Sequence, residues 1–217
     1  MSNNVFYATG KQIKPTVNLY VDGQLVPAYH YKITYSSNIN TGVAKVKLTA
    51  TEVKYVSVCS TTFLILPKKE TLKGSVSSYN SAHLSWGKQG SATGYTIMYS
   101  TDKTFNTAFK YKHITKPETT NTTIKNLKYN TKYYFKIRAY KTNVGYGKWS
   151  KTVKIKTKKN PAPATVKIKS AKKYSKTSIY VKWKAQTARG KSGYYVQYST
   201  NKRFKKNTKT LKIKTFT

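Results

Sequence analysis

The chain is predicted to be all-β, built as tandem β-sandwiches, and three observations carry the prediction. Side chains alternate with period two: "VKIKT" from Val153, "VKIKS" from Val166 and "LKIKT" from Leu211 each put apolar residues on one face and lysines on the other. Helical periodicity is absent, while Tyr, Thr, Val and Ile, the residues strands favour, are abundant. Twelve residues recur almost unchanged, "GYTIMYSTDKTF" from Gly94 and "GYYVQYSTNKRF" from Gly193, 99 positions apart. The 217 residues suffice for two domains or slightly more, and a 38% hydrophobic content can fill packed cores.

Taken in order, the chain divides at two polar, proline-bearing stretches, "LPKKETLKG" (66–74) and "KKNPAPA" (158–164), which read as linkers. Three parts result: 1–68, 69–159 and 160–217. In the first, Asp22-Gly23 is a turn signal between short strands, and Cys59, the sole cysteine, reads as a small strand side chain in "YVSVCSTTF". In the second, Trp86 ends a strand "AHLSW", and Tyr95, Ile97 and Tyr99 share one face of the next. Tyr133, Phe135 and Ile137 then share one face of "KYNTKYYFKIRAY", with Leu127 just before, and "WSKTVKIKT" with Trp149 closes the set. In the third, Ile179, Val181 and Trp183 repeat the first of these strands, and Tyr194, Val196 and Tyr198 repeat the second. These residues are the expected core landmarks.

The landmarks strongly resemble the fibronectin type III family, in the lysine-rich version found in surface and secreted proteins of Gram-positive bacteria. The family pattern is met in order by Trp86, Gly94-Tyr95, Leu127, Tyr133, Arg138-Ala139-Tyr140 and Trp149-Ser150. The resemblance implies a seven-stranded sandwich, with Tyr133 as the tyrosine corner that ties strand F to the preceding loop. Residues 1–68 resemble an immunoglobulin-like β-sandwich module of bacterial surface proteins, through Tyr7, Gly10, Pro15, Val17, Gly23, Tyr31, Ile33, Tyr35, Gly42, Ala44, Val46, Leu48, Phe63, Ile65 and Pro67. His30 and Ala50 depart from that pattern. By the 99-residue offset, Thr217 matches Glu118, so 160–217 is expected to hold strands A to C′ only, with open edges, as a piece of a longer chain.

Charge is the strongest functional signal. There are 42 Lys and Arg against 5 Asp and Glu, a net +37, and nothing after Glu118 is acidic. Such a field concentrates polyanions in a salt-dependent way, and charge alone does not choose among nucleic acid, anionic lipid, teichoic acid and acidic polysaccharide. With the resemblance, teichoic acid and acidic polysaccharide are the expected partners and nucleic acid a non-specific one. Neighbouring domains of a longer precursor are the other expected partners. No recognition helix, zinc finger or RNP-type motif appears. Catalysis lacks raw material: His30, His83 and His113 have no metal-ligand spacing, and no two acids stand closer than 16 residues. No catalytic, cofactor-binding or metal residue is therefore assigned. The longest apolar run, Phe63 to Leu66, is too short to cross a bilayer, and "MSNNVFYATG" is not a signal peptide.

One candidate contact face emerges. If Tyr133, Phe135 and Ile137 point inward, Tyr134, Lys136 and Arg138 point outward, with Met98 and Thr96 beside them, as aromatic and cationic groups for sugar rings, bases, phosphates or carboxylates. The competing reading is an ordinary solvated sheet surface. The expectation is a non-catalytic extracellular module at the Gram-positive cell envelope that spaces and presents other domains and adheres to anionic polymers. The alternatives are an accessory region of a secreted wall hydrolase and non-specific nucleic-acid binding.

Overall fold

The computed structural model describes residues 4–52, 58–160, 165–185 and 193–214. The chain forms two compact units, residues 1–160 and 161–217. Among the described residues every regular element is a strand apart from one short 3-10 turn at Ala28–His30.

The first unit opens with β1 (Val5–Tyr7), β2 (Leu19–Val21), β3 (Gln24–Val26), β4 (Tyr31–Ser36), β5 (Gly42–Ala50) and β6 (Val58–Leu66). Their main sheet runs β1-β6-β5-β4, with β1 parallel to β6, and β2 and β3 form a separate hairpin. Asp22 and Gly23 close that hairpin with φ of 50° and 79°, the double left-handed turn that matches strand twist. Alternation along β5 buries Ala44, Val46 and Leu48 and exposes Val43, Lys45 and Lys47. Val46 and Leu48 pack with Tyr31, Val17, Leu19 and Val26, while Ala44 packs with Phe63, Ile65, Phe6 and Ile13. The Tyr35 hydroxyl donates to the Pro15 carbonyl at 2.5 Å, tying the first loop to β4. Cys59 lies in β6 opposite Leu48 and is exposed.

The sandwich that follows uses β7 (Lys73–Ser78), β8 (Ser81–Ser85), β9 (Gly94–Ser100), β10 (Lys110–Ile114), β11 (Asn121–Ile124), β12 (Lys132–Lys141), β13 (Gly145–Tyr146) and β14 (Val153–Lys156). One sheet is β11-β8-β7; the other is β10-β9-β12-β13, with β14 also paired to β12. Between them lies one core of Leu72, Ala82, Leu84, Trp86, Tyr95, Ile97, Ile124, Leu127, Tyr133, Phe135, Ile137 and Ile155, with Tyr99 packed against it. The Tyr133 hydroxyl accepts the Lys128 backbone N–H at 3.1 Å, which fixes the turn ahead of β12.

The stretch 66–74 is not the free polar linker its composition suggests. Pro67 is fully buried and Leu72 belongs to the core. Buried Gln89 donates through Nε2 to the Lys68 carbonyl at 2.9 Å and to the Glu70 carboxylate, and Glu70 is itself buried. A Cβ on Gly147 would stand 2.6 Å from the Pro67 carbonyl oxygen, so a bare backbone is what lets these segments meet. Residues far apart in sequence thus lock the segment down, which local composition does not reveal. The other expected linker is described only to Asn160; Pro161 and Pro163 lie outside the described residues.

The second unit holds β15 (Ile168–Lys173), β16 (Ile179–Trp183), β17 (Gly193–Ser199) and β18 (Thr208–Lys214), paired as β15-β16 and β17-β18. Its pairing repeats β7 to β10: Tyr194 faces Ile213 as Tyr95 faces Ile114, and Trp183 meets Tyr194 at 5.4 Å as Trp86 meets Tyr95. Burial does not repeat. Trp183, Tyr194 and Val196 are half-buried and Tyr198 is 46% exposed, so these four expected core residues do not form an enclosed core. Among the described residues each sheet here has two strands, whereas β9 is flanked on both sides and faced by a second sheet.

Candidate functional site

Directly opposite residues of an antiparallel pair share a sheet face. On the outer face of the β10-β9-β12 sheet, one row therefore reads Tyr111, Met98, Lys136 and the next reads His113, Thr96, Arg138. A third places Tyr134 between Ser100 and Lys154. Tyr134, Lys136 and Arg138 thus stand on the face opposite the core, and all three are half-buried.

The face is not open where it was expected to be. Met98 is only 7% exposed and Thr96 is buried, because β9 is the central strand and its outer side is covered too. Over β12 the cover can be named. Lys136 Nζ lies 4.2 Å from the Phe105 ring centre and 5.1 Å from that of Trp149. The Arg138 guanidinium lies 4.0 Å from the Tyr146 ring centre and 4.4 Å from that of Trp149. The two cations and three rings form one alternating stack along the sheet. Contacts of this kind are worth about 0.5–1 kcal/mol when exposed and about 2 when desolvated. Burial first, then the charge of Arg138, holds the Lys136 ammonium below the usual lysine range. These cations are structural partners of aromatic rings and are not freely available to a polymer.

Trp149 needs a matching correction. It is half-buried in this outer stack and is no part of the core between the sheets. Local chemistry puts it there. Ser150 donates its N–H to the Ile137 carbonyl at 2.8 Å and accepts the Ile137 N–H on its hydroxyl at 3.0 Å. The serine side chain thereby satisfies β12 where β13 has ended and β14 has not begun, and Trp149 is laid over the outer side.

The open part of the face is the edge strand. Phe109, Tyr111 and His113 alternate along β10 and its approach and are exposed. Their rings follow one another at 5.5 Å and 6.1 Å. Their period-two spacing is legible in the sequence, but only the edge position of β10 gives the three rings an open face.

Four of the five acids are engaged internally. Asp102 caps the β9–β10 loop: one carboxylate oxygen accepts the Thr104 N–H at 2.9 Å, and the other accepts the Asn106 and Thr107 N–H groups at 2.9 and 3.1 Å. The Thr104 hydroxyl also donates to it, and these bonds hold its pKa down to about 2. Glu52 meets His30 at 3.0 Å, and Glu118 meets Lys88 at 2.5 Å. Glu70 is pushed above the usual glutamate range, chiefly by burial. Of the other histidines, His83 lies 3.5 Å from the Thr123 hydroxyl and His113 lies 3.2 Å from that of Thr96. Among the described residues no three His, Cys, Asp or Glu side chains are grouped to hold a metal. No helix among them is long and apolar enough to cross a membrane.

None of the curated proteins matches the chain. Solved structures similar to it include the FN1–FN3 domains of chicken CNTN1, at 24% identity over 55% of this chain and 44% of that one, with a TM-score of 0.40. A two-domain fibronectin type III segment of chicken tenascin is 16% identical over 55% of this chain and 67% of its own length, with a TM-score of 0.47. An Fn3-like protein from Clostridium thermocellum is 24% identical over 42% of this chain and 92% of its own length, with a TM-score of 0.34. The model of the fibronectin type III domain matches residues 67–156, the stretch that holds the sandwich of β7 to β14.

Proposed function

We propose that the chain is a non-catalytic extracellular surface region of a longer protein. It spaces and presents neighbouring domains and is drawn by charge to anionic wall polymers or acidic glycans of a Gram-positive envelope. The middle sandwich contributes a module type found in non-catalytic extracellular and adhesion proteins. We read residues 1–68 as an immunoglobulin-like module and 160–217 as the first strands of a second fibronectin module.

The observation that carries the binding half of this reading is the uncompensated charge. Of 5 acids against 42 basic residues, Glu70 is buried and Glu52, Asp102 and Glu118 are held by neighbours within the chain. The lysines exposed on β5, β14 and β18 therefore present a positive field that the chain's own acids do not offset and that draws external polyanions. Such attraction needs no exact geometry.

The test is binding to purified wall sacculi with and without teichoic acid across a salt series. Binding should require the anionic polymer. It should fall at least about tenfold as the Debye length drops from about 10 Å at 0.1 M salt to about 3 Å at 1 M. Equal binding to stripped sacculi, or no dependence on salt, would refute the charge-based reading. A salt titration against duplex DNA, whose slope counts engaged phosphates, tests the nucleic-acid alternative.

A further inference from the structure

We propose that Phe109, Tyr111 and His113 form a glycan-stacking platform on the edge strand of the fibronectin sandwich, a site for the pyranose rings of an acidic polysaccharide. The inference rests on the polyanion reading for its ligand class and adds a defined place where a sugar is held.

Three observations converge. The rings are exposed, 43% for Phe109 and 47% for Tyr111, although large apolar side chains in this domain are otherwise mostly used inside. They follow one another at 5.5 and 6.1 Å along a strand that borders only β9, so a linear polymer can lie along them without meeting a neighbouring strand. That pitch is comparable to the length of one pyranose residue in an extended glycan, whose C–H faces stack on exposed aromatic rings. The His113 ring is steadied by the Thr96 hydroxyl at 3.2 Å, which leaves its outer side free to stack.

The third observation shows that the fold does not demand these rings. The hairpin β17-β18 repeats β9-β10 in the same register, and its residues at the three positions are Thr208, Thr210 and Lys212. The same strand thus forms with two threonines and a lysine where the first copy has Phe, Tyr and His. Aromatic rings placed in water on an edge strand are a liability when they have no ligand. Nucleic-acid bases also stack on exposed rings. The tilts of 63° and 30° between successive rings leave no parallel slot for a base, whereas separate pyranoses on a twisting chain can each meet a tilted ring.

The test exchanges the residues of one copy for those of the other in the full chain: Phe109→Thr, Tyr111→Thr and His113→Lys together. Histidine to lysine adds positive charge, so a loss of binding cannot come from weakened charge. The probes are a galacturonic-acid decasaccharide, inorganic polyphosphate of equal charge and an oligothymidylate. The variant should bind the decasaccharide about tenfold more weakly, in line with the loss of stacked rings, while polyphosphate binding stays the same or tightens. In the natural chain the ring protons of all three residues should shift on adding decasaccharide and not on adding polyphosphate, a readout that does not depend on the variant's folding. Unchanged decasaccharide affinity together with unmoved ring signals overturns the platform and leaves the charge-based reading intact. Loss confined to the oligothymidylate overturns it in favour of base stacking. Failure of the natural chain to bind any of the three probes overturns both readings.

Discussion

At the residue scale, two carboxylates of opposite character show how environment sets the sign of pH dependence. Asp102 accepts three backbone N–H groups and a threonine hydroxyl, hydrogen bonds to the charged form, and its pKa falls to about 2. A depressed carboxylate contributes stability that is present above the unfolded value and lost as pH falls through the folded one. The β9–β10 loop should therefore hold above pH 4 and loosen between about pH 4 and 2, seen as accelerated amide exchange at Thr104, Asn106 and Thr107. Protection of these amides that persists unchanged to pH 1.5 would show that the carboxylate does not organise the loop. Glu70 runs the other way. Burial raises its pKa, so its contribution is fully present below the ordinary glutamate value and fades as pH rises through the raised one. Asn201, the counterpart of Asp102, keeps one of these bonds, accepting the Arg203 N–H at 2.9 Å, which explains why the loop shape recurs without the charge.

At the element scale, the repeated "GY" has a steric origin. A Cβ on Gly94 would lie 2.2 Å from the Ile114 carbonyl oxygen, and one on Gly193 would lie 2.0 Å from the Ile213 carbonyl oxygen. In both copies the edge strand can pair with its neighbour only if that neighbour starts with a bare backbone. Gly94→Ala should push β10 away from β9 and cost about 1–3 kcal/mol, the usual range for overpacking a close contact. Urea unfolding together with amide exchange along β10 reads the effect, and full stability with an intact β10 would contradict it. The neighbouring strand β12 shows what a sequence can and cannot disclose. Alternation alone places Tyr133, Phe135 and Ile137 on one face of β12 and Tyr134, Lys136 and Arg138 on the other, because a strand's period is two. It does not say what lies on top of a face. Phe105 comes from a loop residue with φ of 60°, Trp149 from a gap between strands and Tyr146 from a two-residue strand, so the cover over Lys136 and Arg138 belongs to no local pattern. Met98 lies on the outer face as alternation places it, yet it is only 7% exposed, whereas Phe109, Tyr111 and His113 carry a period-two signal that only their edge position makes meaningful.

At the scale of the whole molecule, two copies of one hairpin sit in different surroundings, and that contrast separates local from global stability. The first copy is flanked by β12 and roofed by β8 and β11, and Ile97 is completely buried. The second has the same register, and its Tyr194 meets Trp183 as Tyr95 meets Trp86, yet Val196, the counterpart of Ile97, is only half-buried and Tyr198 is 46% exposed. Two-stranded sheets are marginal in water, and independent stability needs three or more strands with a packed face. Strand pairing and register are thus shared between the copies while tertiary cover changes. Amide exchange at positions paired by the 99-residue offset, such as Ile97 with Val196 and Tyr99 with Tyr198, therefore measures cover directly. Protection in β17 and β18 should be at least about a hundredfold lower than in β9 and β10, because opening there exposes little apolar surface that was not already wet. Equal protection at the paired positions would mean that the hairpin's own side chains stabilise it. In that case the sheet between β12 and β10 owes less to its second layer than the burial of Tyr95, Ile97 and Phe135 implies.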